Sequence, residues 1–257
     1  GDSSLIVLES GVKVLIDGGP QDKVLNELER VLPQTDKYID LVVMTHPQVD
    51  HFGGLISVLE KYQIGAFISS GRLARGSEYQ ALSSILRQKN IPYISLIENS
   101  QINIAETRIQ VLSPGSGELI SSEPNDTSLV LLVKTNEFSG LFTGDIGFST
   151  EERLIRQYSD LDIDILKVAH HGSRYSSGSG FLQALSPIIA VIGVGQNNYG
   201  QPHQDVLQRL QAFTNNIFRT DTLGTVKITK KGNKLKILST ISLPIGILKT
   251  TIECYNS

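Results

Sequence analysis

IDLVVMTHPQVDHFGG, residues 39–54, decides how this chain reads. Its first half carries the continuous apolar run LVVM (41–44), which marks a buried strand. The run delivers His46 at its end. Asp50 and His51 follow within five residues, before a Gly-Gly pair and a helix expected over 52–62. Imidazole and carboxylate are ligands that suit zinc or manganese. A short loop after a strand can aim three such side chains at one ion, or divide them between two ions about 3.5–4 Å apart. The alternative is structural, with Asp50 capping the helix and His51 opening it.

Three further segments repeat this plan of a strand ending in a metal-ligand residue type. LIDGG (15–19) ends in Asp17, LFTGD (141–145) in Asp145, and DILKVAHHGS (164–173) runs into His170 and His171. The chain has five histidines, and all of them, including His203 in NNYGQPH (197–203), sit at or just beyond the end of an expected strand. In layered α/β folds that edge is where functional loops gather. Asp17 reads as a carboxylate that hydrogen-bonds a ligand histidine and fixes its tautomer, with an ordinary Asp-Gly turn as the alternative. Asp145 could bridge two ions from a second sheet.

His170 and His171 are expected on extended backbone, where adjacent side chains point opposite ways. One would then face a metal, and the other would contact substrate or pack. The stretch after them, SRYSSGSG (173–180), offers hydroxyls and backbone N–H groups to a phosphate. His203 reads as a ligand or as the general acid for a leaving oxygen. Ser173, Arg174, Asn198 and Tyr199 are the candidate substrate contacts. Arg72, Arg75 and the lysines of 227–236 are further candidates, because a cationic side chain pairs with phosphate.

Composition bounds the class. The 257 residues are 40% hydrophobic and 19% charged, with a net charge of −3, so no global basic field announces nucleic acid. The single cysteine, Cys254, allows no internal disulfide and no cysteine-based zinc site. No apolar stretch is long enough to span a membrane. The abrupt start, Gly1-Asp2-Ser3 leading into a strand, suggests an excised domain. Strands alternate with helices but several β-β steps intervene. The expected fold is therefore a four-layer αββα sandwich over residues 1–238, with a hairpin turning at Gly232-Asn233 and an extension over 239–257.

Taken together, His46-x-Gln48-x-Asp50-His51 resembles the His-x-His-x-Asp-His signature of the metallo-β-lactamase superfamily. The series GDS, LIDGG, THPQVDHFGG, PNDTSLVL, LFTGDI, LKVAHHGS and NNYGQPH, from residue 1 to 203, is similar to the C-terminal, nuclease-like domain of the ComEC family of DNA-uptake channels. The resemblance implies the αββα fold and a nuclease with one or two divalent ions, Mn2+ or Zn2+, degrading the DNA strand that is not transported during natural transformation. It implies a place on the outer face of the cytoplasmic membrane, attached to a transmembrane channel. DNA, as a single strand or duplex end, is the implied partner.

By motif position, His46 and Asn125 serve a first metal, with Gln48 in the place of the signature's second histidine. Asp50 and His51 serve a second metal, and Asp145 bridges. Asp50, His171 and His203 are the catalytic candidates; which of His170, His171 and His203 is ligand and which is proton donor stays open. Three departures stand out. Gln48 replaces a histidine, Asn125 or Asp126 stands where the superfamily's third histidine would fall, and Gln201 replaces an expected histidine. Each lowers the basicity of the ligand set. Two other functions follow from the same residues: a DNA-binding module of the channel that cuts weakly or not at all, and a hydrolase of small esters or lactones.

Overall fold

The computed structural model describes residues 1–158, 161–231, 234–241 and 250–253. The fold is mixed α/β, and its elements fall into two compact units, 1–101 with 110–130 and 102–109 with 131–257.

The first unit opens with an antiparallel pair, β1 (Ser4–Val7) and β2 (Lys13–Ile16), turning through Gly11 at positive φ. It continues through α1 (Lys23–Val31), β3 (Tyr38–Val43), α2 (Val49–Lys61), β4 (Gln63–Ser69), α3 (Ser77–Gln88) and β5 (Tyr93–Ser95). The sheet runs β1-β2-β3-β4-β5 and is parallel from β2 onward. Val24 and Leu28 of α1, Phe52, Leu55, Val58 and Leu59 of α2, and Leu82 and Leu86 of α3 join Leu15, Ile39, Val42 and Phe67 in one buried cluster. Burying each such side chain contributes about 1.5–3 kcal/mol. Val14, Ile16, Val43 and Ile68 are buried as well, which is why residues 41–44 carry no alternation.

In the second sheet the order is β12-β11-β10-β9-β8-β7-β6. Its strands are β6 (Gln101–Ile104), β7 (Thr107–Ser113), β8 (Val130–Lys134), β9 (Ser139–Phe142), β10 (Ile165–Lys167), β11 (Ile189–Ile192) and β12 (Ile217–Arg219). From β9 to β12 the strands are parallel. Helices α4 (Phe148–Gln157), α5 (Ser179–Leu185) and α6 (Gln204–Gln211) connect them, burying Leu154, Leu182, Leu185, Val206 and Leu210. A small antiparallel sheet of β13 (Val226–Lys231), β14 (Lys234–Ser239) and β15 (Thr250–Glu253) follows. Leu235 and Ile237 of β14 pack with Ile189 and Phe218. The hairpin turn expected at Gly232-Asn233 lies outside the described residues, as does Cys254.

In each unit the loops at the carboxyl ends of the parallel strands carry the polar residues singled out above. The helix after β3 starts three residues earlier than its periodicity suggests. Gln48, extended at ψ 142, is the cap residue, and its carbonyl accepts from His51 N and Phe52 N. Asp50 and His51 therefore lie inside the first turn of α2. Among the described residues no helix is long and apolar enough to cross a membrane.

Candidate functional site

In the first unit, the polar groups are organised by Asp17. This residue follows β2 at φ 57, a left-handed conformation, and its carboxylate takes three donors. Oδ1 accepts Thr45 N at 2.8 Å, and Oδ2 accepts Thr45 Oγ1 at 2.7 Å and His51 Nδ1 at 2.8 Å. Because the Thr45 hydroxyl donates to Asp17, its oxygen is left to accept from His46 Nδ1, 3.1 Å away. These partners assign the protons of both imidazoles to Nδ1 and leave Nε2 of each with its lone pair, the form that binds a metal. The two rings are fully buried, their centroids 4.1 Å apart. Burial pushes the Asp17 carboxyl above its ordinary range, against the opposing pull of His51 and Thr45.

Close backbone packing makes this possible. Gly18 N donates to His51 O, and Gly54 N donates to Gly19 O. A Cβ at Gly54 would lie 2.1 Å from Gly18 O, and one at Gly18 would lie 2.6 Å from Leu55 N. The two Gly-Gly pairs thus let the loop after β2 press against the start of α2, bringing Asp17 to His51 across 34 residues of sequence. Asp50, half-buried, places Oδ2 3.9 Å from His51 Nε2. Asp2, buried just ahead of β1, presents a ligand atom within 4.8 Å of one on His51. Gln48 and Asn125 are joined to each other, Gln48 Nε2 donating to Asn125 Oδ1 at 2.6 Å. The bond engages the one atom through which the Asn125 amide would bind a metal.

In the second unit Asp145 is buried just after β9, and both neighbouring histidines face it. His170 Nε2 lies 3.9 Å and His171 Nε2 3.6 Å from Asp145 Oδ2. This corrects the expectation of diverging side chains. His170 (φ 51, ψ 45) and His171 (φ 54, ψ 21) are both left-handed. Two such residues in succession curl the chain into a turn, so the side chains do not alternate as they would on a strand. His171 Nδ1 donates to Gly193 O at 2.9 Å, since a carbonyl only accepts, and its Nε2 therefore carries a lone pair toward the Asp145 carboxylate. A set of imidazole nitrogens and carboxylate oxygens fits a divalent ion.

The turn is held from several sides. Ser173 N donates to His170 O, Ser176 Oγ to Ala169 O, Gln201 Nε2 to His170 O, and His203 N to Gly172 O. Glu151 of α4 accepts from Ser177 N and Gly178 N, and Arg209 of α6 donates to the carbonyls of Arg174, Ser176 and Ser177. Burial raises the Glu151 carboxyl to about 7, although both backbone donors and Arg209 pull the other way. The backbone N–H groups of 177 and 178 are consequently engaged by Glu151. That corrects the expectation that this part of the stretch offers them to a phosphate.

Other expected residues are placed as follows. His203 caps α6 with extended backbone, and its Nδ1 lies 3.4 Å from Arg174 Nη2. Ser173 is buried, whereas Arg174, Asn198 and Tyr199 are exposed. Arg72 donates to the Leu119 carbonyl at 2.7 Å. Two residues escaped sequence reasoning. Asp2 carried a signal in the GDS segment, but a carboxylate ahead of a first strand has no meaning until the strand is placed. Glu151 sits in an amphipathic helix, where an acidic residue reads as solvated.

Comparison with known proteins adds the family. The chain is 31% identical to ComE operon protein 3 of Bacillus subtilis (strain 168) over 76% of its own length and 25% of that protein's. It is 26% identical to Recombination protein 2 of Haemophilus influenzae (strain ATCC 51907 / DSM 11121 / KW20 / Rd), over 90% of this chain and 28% of that one. It thus spans about a quarter of the length of these curated relatives. Among solved structures, the metallo-beta-lactamase fold protein YhfI from Bacillus subtilis superposes with a TM-score of 0.54 at 12% identity, covering 85% of this chain and 88% of that one, a likeness of fold. The family model of the metallo-beta-lactamase superfamily matches residues 1–195. With both histidine-carboxylate loops inside that match, the chain belongs to the metallo-beta-lactamase superfamily.

Proposed function

We propose that this chain is a metal-dependent phosphodiesterase that cuts DNA, acting on the strand excluded during uptake. One observation carries the hydrolase reading: His51 and His171 each have Nδ1 engaged, by Asp17 and by the Gly193 carbonyl, so each turns a lone-pair Nε2 toward a carboxylate. Superfamily membership supports the same reading. The choice of DNA rests on the likeness to the ComE operon protein and Recombination protein 2.

In this reading Asp2, Asp50, His51 and His46 of the first unit, and Asp145, His170 and His171 of the second, are the residues that would hold one or two divalent ions, Mn2+ or Zn2+. When bound, such an ion polarises a phosphoryl oxygen and acidifies water. Asp17 holds His46 and His51 in the ligating tautomer. Arg174 donates toward His203 Nδ1, which leaves the His203 proton on Nε2 as the donor to the leaving oxygen. In the same reading the domain works as part of a longer membrane channel protein, on its outer face, as the resemblance to DNA-uptake channels implies.

The experiment is hydrolysis of single-stranded and duplex DNA with manganese, zinc or magnesium, for the wild type, His51→Ala and Asp145→Asn. Cutting by the wild type that both variants lose, with DNA binding retained, supports the proposal; a wild type inert with every ion sinks it. The Gln48–Asn125 bond favours one second reading. A neutral amide pair stands where the superfamily signature has a ligand histidine, so the domain would hold DNA without cutting it. A wild type that binds DNA and cuts none is the outcome that reading requires.

A further inference from the structure

Two tyrosines next to the histidine turn are held out in solvent on pinned backbone. Tyr199 is 79% exposed and Tyr175 67%. Scattered exposed aromatics are ordinary on protein surfaces, so exposure alone carries nothing. What distinguishes this pair is the rigidity beneath each ring. Asn197 clasps the loop that bears Tyr199. Its Nδ2 donates to Gly195 O and Gln201 O at 2.9 and 2.8 Å, and its Oδ1 accepts from Tyr199 N and Gln201 N, both at 3.0 Å. Tyr175 O accepts from Phe148 N, and the Arg174 carbonyl just before it accepts from Arg209.

Both tyrosines also lie close, along the chain, to the groups that face Asp145. Tyr175 is four residues beyond His171, a reach of at most about 14 Å. Tyr199 is two residues from Gln201, whose side chain donates to the His170 carbonyl. Arg174 and His203 meet at 3.4 Å and tie the two loops together. The result is two exposed rings carried on hydrogen-bonded loops, with the exposed Arg174 guanidinium where the loops meet, beside a proposed phosphodiester-cleaving centre.

We propose that Tyr175 and Tyr199, with Arg174, form a stacking platform for the unpaired bases of a single-stranded nucleic acid. This rests on the phosphodiesterase reading for its setting and narrows its substrate class. A ring presented on rigid backbone loses little freedom on binding. Base–aromatic stacking needs no particular base, because every base has a π-face. A duplex hides those faces inside its own stack, so the platform selects single strands or frayed ends over paired DNA. Arg174 supplies the charge that tracks the phosphates.

The test is binding of a fluorescent single-stranded oligonucleotide by anisotropy in EDTA, beside a strand of equal length whose central nucleotides are abasic. The wild type is expected to bind the complete strand about tenfold or more tightly than the abasic one. Tyr175→Ala and Tyr199→Ala each narrow that ratio, and Tyr175→Phe and Tyr199→Phe restore it. Equal affinity of the wild type for the two strands, or a ratio untouched by both alanine variants, overturns the platform. The cleavage assay is read separately. Cutting without base discrimination discards the platform alone; discrimination without cutting discards the phosphodiesterase reading and keeps the platform.

Discussion

Asp17 Oδ2 and His51 Nδ1 are 2.8 Å apart, both buried, across 34 residues of sequence. The same carboxylate reaches His46 through the Thr45 hydroxyl, so one acid sets the proton position on two imidazoles. Asp17→Asn keeps the shape and removes the charge that orders those protons. We expect metal affinity to fall about 10- to 100-fold, as for other partners of ligand histidines. Stability should drop by about 1.5–3 kcal/mol, the scale of a hydrogen bond to a charged group. Titration calorimetry with manganese and zinc reads the first effect and urea denaturation the second. An affinity equal to that of the wild type would remove Asp17 from the ligand-orienting role.

Gly54 tests the packing that makes the Asp17–His51 contact. A Cβ there lies 2.1 Å from Gly18 O and 2.4 Å from Gln21 O, both backbone atoms that cannot swing aside. Gly54→Ala should cost about 1–3 kcal/mol or more through overpacking. Gly195→Ala, where a Cβ meets nothing within 4 Å, should stay within about 0.5 kcal/mol. Equal denaturation midpoints for the two variants would mean that the close approach of the two Gly-Gly loops is not a constraint.

These two sites also mark what could be read from the chain alone. The apolar run into His46 and the Gly-Gly after His51 announce a buried strand, a ligand loop and a helix packed tightly on its neighbours. All three are local patterns with a direct physical cause. The paired left-handed conformations of His170 and His171 were not legible. Nothing in AHHGS forbids an extended chain; it is the tertiary network of Gln201, His203 and Ser176 that holds the turn. Glu151 was hidden for the same reason. Its donors are backbone groups 26 and 27 residues away, and side-chain type says nothing about them.

Glu151 gives a pH dependence of definite sign. Its carboxyl is raised from 4.5 to about 7, chiefly by burial, so the folded protein holds this proton more tightly than the unfolded chain. The resulting stabilisation is complete below the unfolded value and is lost as pH rises through about 7, amounting to roughly 3 kcal/mol. Glu151→Gln cannot titrate. Urea denaturation of both proteins at pH 5 and pH 8 should show the wild type losing up to that amount relative to Glu151→Gln as pH rises. A constant difference between the two would place the Glu151 titration elsewhere.

Gln48 carries the sharpest question about metal number. Its amide donates to Asn125 at 2.6 Å, and amide oxygen is a poorer ligand for zinc or manganese than imidazole. Gln48→His breaks that bond and returns a nitrogen ligand to the position where the superfamily signature has one. If the amide pair is what weakens a first metal position, the variant should hold more metal per chain than the wild type after dialysis. The added ion should bind at least about tenfold more tightly, a gain of about 1.4 kcal/mol. Elemental analysis and calorimetric titration measure both quantities. Gln48→Ala, which breaks the same bond without supplying a ligand, separates relief of the amide pair from gain of an imidazole. Should Gln48→His and Gln48→Ala bind metal identically, the residue at 48 does not govern occupancy, and any ion would depend on the remaining histidines and carboxylates.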